Sequence, residues 1–255
     1  MKKKHVVEFA IVVAVLGVFF GSEFLDGLGN APETVEPPQL LAEFGDPDWN
    51  AIAVWPAVAE EVEIIAQPDP NVTIAVLVLD DSGSMEEEIS QAKAALVEAV
   101  GFLSETDQVA VIGLNGGVIL PTTPVDEARL ALQNALRPVV ARGGTPLTEA
   151  IASARTILEN SAAARRSFGN YRIIVTTDGR ADDALALRQA VVKTVTETPI
   201  QISTIATKSL PDHALNAAGF TSFTTISGVD GLADALRSAV AEGTTFDPIT
   251  AFEEQ

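Results

Sequence analysis

The chain contains no cysteine and only two histidines, His5 and His213. Without cysteine there is no disulfide, no thiolate nucleophile and no zinc–thiolate centre. Two histidines do not build a histidine-rich metal centre, and the lack of cysteine leaves the compartment open. Basic residues are scarce as well. Sixteen Lys and Arg face 35 Asp and Glu, a formal net charge of -19. The first 25 residues hold Lys2, Lys3 and Lys4 with Glu8 and Glu23, which leaves the remainder with 33 acids, 13 bases and a net charge of -20. A body this acidic repels nucleic-acid phosphates and anionic headgroups, so nucleic acid is excluded as its main partner. Cations and basic protein surfaces stay compatible with it. Beyond the first two dozen residues there is no second hydrophobic span, so at most one membrane anchor is expected.

That one long run is Val6 to Gly21, apolar except for Glu8 and preceded by Lys-Lys-Lys-His. Residues 1–26 read as an N-terminal hydrophobic helix serving as a membrane anchor. The lysines stay cytoplasmic and the remainder is extracytoplasmic, by the positive-inside bias. The stretch Phe19-Phe20-Gly21-Ser22-Glu23 is a poor cleavage site, which favours an uncleaved anchor; the alternative is a cleaved signal and an exported soluble form. Residues 27–70 form a spacer broken by Pro32, Pro37, Pro38, Pro47, Pro56, Pro68 and Pro70. Its apolar pieces, Trp49 to Trp55 and Val62 to Ala66, are candidates to pack on the main domain, the second as an edge strand.

From residue 71 strands and helices alternate. Val72 to Leu79 is β-branched and aliphatic without polar interruption, which suits a strand buried on both faces. Val109 to Leu114 and Val118 to Pro121 flank Asn115-Gly116-Gly117, a hairpin signal. Arg172 to Thr177 and Ile200 to Ala206 are further strands, with a short one at Ser222 to Thr225. Helices are expected over 86–104, 126–136, 146–160, 182–196, 211–218 and 229–241. This alternation predicts an α/β fold over 71–242: a doubly wound, mostly parallel sheet flanked by helices, with one antiparallel edge strand. Residues 243–255 read as a tail.

Three short segments carry polar groups, two of them at strand ends, where such sheets place their ligands. Asp80-Asp81-Ser82-Gly83-Ser84 ends the first strand, Gly143-Gly144-Thr145-Pro146-Leu147 precedes a helix, and Thr176-Thr177-Asp178-Gly179 ends another strand. Each has an ordinary structural explanation. Ser84 with Glu87 makes a capping box, Thr145 with Pro146 an N-cap, and Asp178-Gly179 an Asx turn. Jointly, in this order, they resemble the metal-ion-dependent adhesion site of the von Willebrand factor type A domain, over roughly residues 72 to 241.

That resemblance implies a Rossmann-like fold and a metal site. Ser82 and Ser84 would supply hydroxyl oxygens, Thr145 a third in the ligand-engaged state, and Asp80 and Asp178 would hold coordinating waters or bond directly. Mg²⁺, Mn²⁺ or Ca²⁺ would be the cofactor, and the partner a protein presenting an acidic residue to the metal. Asp81 would either join the acids that orient these hydroxyls and waters or face solvent, and solvent is expected. The chain departs from the family at the hairpin, where Leu114-Asn115-Gly116 stands in place of an aromatic and a serine. No enzyme is expected. A phosphohydrolase would want a carboxylic acid two residues beyond Asp80, where Ser82 stands and cannot serve. A scaffold with a vestigial site and an acidic binding surface is the other alternative.

Overall fold

The computed structural model describes residues 46–56, 63–65, 67–210, 212–217 and 220–241. The expected N-terminal helix and tail lie outside them, as does much of the expected spacer. Among the described residues no helix is long and apolar enough to cross a membrane.

Six strands form one sheet: β1 (Thr73–Leu79), β2 (Gln108–Gly113), β3 (Gly117–Pro124), β4 (Asn170–Thr177), β5 (Gln201–Ala206) and β6 (Thr221–Thr225). Their spatial order is β3-β2-β1-β4-β5-β6, and every neighbouring pair is parallel except β2 with β3. All seven residues of β1 are buried, as its unbroken apolar run requires. Ile74, Val76 and Val78 enter one core and Leu77 and Leu79 the other, the period of two that sends successive side chains to opposite faces.

Helices cover both faces. They are α1 (Trp49–Ala53), α2 (Ile89–Val100), α3 (Val125–Leu136), α4 (Leu147–Ala164), α5 (Ala184–Glu197) and α6 (Leu232–Ala241). α4 buries Leu147, Ala150, Ile151, Ala154, Leu158 and Ala162, a stripe at helical spacing that joins the first core. α2, α3 and α6 close the second core with Leu96, Leu132 and Leu236. Arg172 on β4 crosses to the end of α6, donating to the carbonyls of Ala239 (2.8 Å) and Val240 (3.3 Å), which lack N–H donors within the helix.

The fold follows the sequence pattern with local differences. The hairpin, the antiparallel edge and the parallel centre are present. The helix expected from residue 86 begins at Ile89, after a short 3₁₀ turn over Gly83–Met85. The helix expected over 211–218 is absent among the described residues, where 212–217 form turns. Val62 to Ala66 gives no edge strand among its described residues 63–65; Ile65 N–H donates instead to the Ala164 carbonyl at the end of α4 (2.8 Å). The first tryptophan piece does pack. Trp55 is buried edge-on to Tyr171, ring centroids 4.9 Å apart, while Trp49 is 70% exposed.

The strand order has one consequence for function. Connections from β1 run to β2 on one side, and the later strands β4 to β6 extend on the other. The order therefore reverses between β1 and β4, the point at whose carboxyl ends sheets of this kind place their ligands. Asp80 and Asp178 are the residues that follow those two ends.

Candidate functional site

Register brings the two loops together. β1 and β4 pair Val78 with Val175, so Asp80 stands level with Thr177. The Thr177 hydroxyl donates to Asp80 Oδ2 at 2.7 Å, and the Ser82 N–H donates to Asp80 Oδ1 at 3.0 Å. Ser82 Oγ lies 3.0 Å from Ser84 Oγ, and Ser84 Oγ donates to Asp178 Oδ1 at 2.7 Å. The Lys208 ammonium donates to Asp178 Oδ2 at 2.6 Å. Asp80, Ser82, Ser84 and Asp178 thus belong to one hydrogen-bonded network. The capping-box expectation for Ser84 is overturned: its hydroxyl is committed to Asp178, and α2 begins too late to use it.

Thr145 comes from a third loop. The residue preceding α4 is Pro146, not Thr145. Thr145 is instead clamped to the loop after β4. Its N–H donates to Asp182 Oδ1 (3.0 Å), and its carbonyl accepts from the Asp182 N–H (3.1 Å). The loop of Asp80–Ser84 touches this third loop through the Gly83 N–H, which donates to the Gly143 carbonyl (3.1 Å).

Asp81 corrects an expectation. Instead of facing solvent it is 1% exposed. Its Oδ1 accepts from the Asn115 N–H at 2.7 Å, and Asn115 Nδ2 donates onward to the Gly144 carbonyl at 2.9 Å. The Asp81 carbonyl accepts from the Arg142 N–H (2.7 Å). Asp81 and Asn115 therefore tie the first loop, the β2–β3 hairpin and the Gly143–Thr145 loop together. The departure from the family at Asn115 falls on this tie and leaves the hydroxyl and carboxylate groups in place. A groove of about 300 Å³ lined by Asp81, Val118, Val140 and Arg142 runs alongside.

The electrostatics follow from burial. Asp80 is fully buried, and desolvation raises its pKa against the opposing hydrogen bonds from Ser82 and Thr177. The hydrogen bond to Asp178 raises the pKa of Lys208. Among the described residues no three His, Cys, Asp or Glu side chains converge as a metal cluster. A cation here would depend on hydroxyl oxygens as well as carboxylates. Neutral hydroxyls beside carboxylates are hard oxygen donors, the chemistry that Mg²⁺, Mn²⁺ and Ca²⁺ prefer.

Sequence reasoning missed Asp182, Thr177 and Lys208. Thr177 and Lys208 lie at or just past the carboxyl ends of β4 and β5, where a survey of polar residues at strand ends finds them. Asp182 carries no such signal.

His213 supports the same loop from below. Leu215 N–H donates to its Nδ1 (3.2 Å), so Nε2 carries the proton and donates to the Gly179 carbonyl (3.1 Å). Burial lowers its pKa below the usual 6.5, and protonating Nδ1 would break the bond from Leu215. The unfolded chain then takes up a proton before the native one does as pH falls through about 6.5, so stability is full above that value and declines below it. Urea midpoints are expected to drop between about pH 7.5 and about pH 5.5, and His213→Gln to flatten that slope while lowering stability at the upper pH.

Comparison with known proteins agrees with this architecture. Residues 75–180 match the family model of the von Willebrand factor type A domain. A von Willebrand factor type A protein from Catenulispora acidiphila superposes with a TM-score of 0.57 at 21% identity, covering 68% of this chain and 43% of that one. Manganese-loaded TRAP protein of Plasmodium vivax gives 0.50 at 14%, covering 68% and 74%. The pilus adhesin SpaC of Lactobacillus rhamnosus GG, in an open conformation, gives 0.51 at 12%, covering 72% and 31%. No curated protein matches the sequence significantly. At these identities the structural likeness speaks for the fold alone, and the chain spans under half the length of the Catenulispora protein. Residues 75–180 are therefore similar in sequence to a von Willebrand factor type A domain, and the sheet and helices around them have that fold. Domains of this family generally mediate protein–protein interaction or adhesion without catalysis, and commonly bind a divalent metal.

Proposed function

We propose that this domain is a non-enzymatic binding module that engages an acidic side chain of a protein partner through a divalent cation. Asp80, Ser82, Ser84, Thr145 and Asp178 would hold the ion. The observation that carries this reading is the single network in which Asp80, both serine hydroxyls and Asp178 meet at the sheet's reversal point. The bound cation would supply an electrophilic position for a partner carboxylate, since hydroxyl donors neutralise little of its charge.

The chain's own residues do the rest. Thr177 and the Ser82 N–H orient the Asp80 carboxylate, and Asp178 orients the Ser84 hydroxyl. Asp182 holds Thr145 at the rim. The phosphohydrolase alternative gains nothing, because the Asp81 carboxylate is committed to Asn115. The N-terminal hydrophobic run would tether the domain on the extracytoplasmic side. In sealed membrane vesicles of known orientation, protease should then digest the domain only from the extracytoplasmic face.

Calorimetric titration of the full chain in detergent with Mg²⁺ and Mn²⁺ tests the site. Saturable binding is expected, weakened at least about tenfold by Ser82→Ala with Ser84→Ala, as for loss of groups that hold or orient a metal. If the chain takes up neither ion, even with Lys208 replaced, the cation reading fails. Partner binding that persists in chelator and weakens steeply with salt would then indicate a scaffold acting through its acidic surface.

A further inference from the structure

Lys208 follows β5 by two residues, and its ammonium rests 2.6 Å from Asp178 Oδ2. The Asp178 side chain is wholly buried while that of Lys208 is 51% exposed. The other oxygen of Asp178 accepts from Ser84, whose hydroxyl lies 3.0 Å from that of Ser82. One carboxylate therefore carries a positive charge on one oxygen and the serine hydroxyl pair on the other.

We propose that Lys208 is a tethered counter-cation: in the ion-free domain it neutralises Asp178, and it competes with the divalent ion for that carboxylate. This rests on the reading of the site as cation-binding. A buried carboxylate without a counter-charge is costly, so the ion-free domain gains from the ammonium. Once a dication is bound nearby, the same ammonium meets a like charge at short range and its attraction to Asp178 is shared. The side chain is a long flexible stem, already half in solvent, so it can swing outward and keep its charge hydrated. Ion binding then includes the release of Lys208, and the affinity of the site is set lower than its oxygen donors alone would make it.

The test compares the full chain in detergent with Lys208→Met and Lys208→Arg, titrated with Mn²⁺ by calorimetry. Lys208→Met is expected to bind Mn²⁺ roughly three- to tenfold more tightly, between the effects typical of exposed pairs and of charged hydrogen bonds. Lys208→Arg, which keeps the charge, is expected to gain nothing. In chelator Lys208→Met should melt below the unaltered chain, and the gap should close in saturating Mn²⁺. Tighter binding by Lys208→Met, including binding where the unaltered chain shows none, supports the proposal. Equal or weaker binding by Lys208→Met overturns it while the cation site stands. Absence of binding in all three proteins overturns both. Lys208→Gln repeats the comparison if the methionine variant fails to fold.

Discussion

Asp80→Asn is expected to abolish divalent-cation binding and at the same time to stabilise the ion-free domain. Asp80 is fully buried, and its burial raises its pKa because the ionised form is poorly solvated there. For an acid with a raised folded-state pKa, the native state keeps its proton longer than the unfolded chain. Stability therefore falls as pH climbs from the ordinary carboxylate range through the folded value. Asparagine removes the charge and keeps the shape. Its Oδ1 can accept from the Ser82 N–H as the carboxylate does. Its Nδ2 can donate to the Thr177 hydroxyl, which is free to turn its own proton to the Gly179 carbonyl 3.2 Å away. In chelator at neutral pH the variant should gain about 1 kcal/mol, the usual size of a single stabilising change. In saturating Mg²⁺ the order should reverse, because a ligand that binds only the native state stabilises only the protein that binds it. Urea denaturation in chelator and in Mg²⁺ reads both halves. A variant that is weaker in chelator would show that Asp80 contributes to the fold beyond its role at the site.

Gly113→Val should cost about 3 to 5 kcal/mol, combining overpacking with loss of buried hydrogen bonds. Gly113 ends β2 opposite Gly117. A Cβ there would stand 2.7 Å from Asp81 Oδ2, 3.2 Å from Asp81 Cγ and 3.3 Å from Ile119 Cδ1. Asp81 has nowhere to go, since its Oδ1 holds the Asn115 N–H and its carbonyl holds Arg142. Displacing it leaves a buried carboxylate and an amide unpaired, and loosens the hairpin from the first loop. Gly117 makes the control. It has φ +69° and open space where a Cβ would be, so Gly117→Ala costs only the left-handed backbone, about 1 to 2 kcal/mol. Urea midpoints for the two variants separate crowding from backbone strain. Equal losses would remove Asp81 as the reason for glycine at position 113.

By itself, the sequence determined the α/β class, the central strand and the antiparallel edge. Each rests on a local signal: an unbroken apolar run for β1, an Asn-Gly-Gly turn for the hairpin, and apolar positions at helical spacing for α4. The loops carrying Asp80, Ser82, Ser84 and Asp178 were legible too, because polar groups at the ends of buried strands stand out against the apolar runs before them; Thr145, ahead of a helix, stood out only through the resemblance of the three segments together. Tertiary structure decided what those groups touch. Ser84 could cap a helix or reach Asp178, and only the pairing of β1 with β4 chose the second. Asp81 could face water or the hairpin, and the choice depended on Asn115, 34 residues away. Lys208 approaches Asp178 across 30 residues through the pairing of β4 with β5. Hydrogen bonds and ion pairs are short-range in space but not in sequence, so local patterns name the participants and the sheet register pairs them.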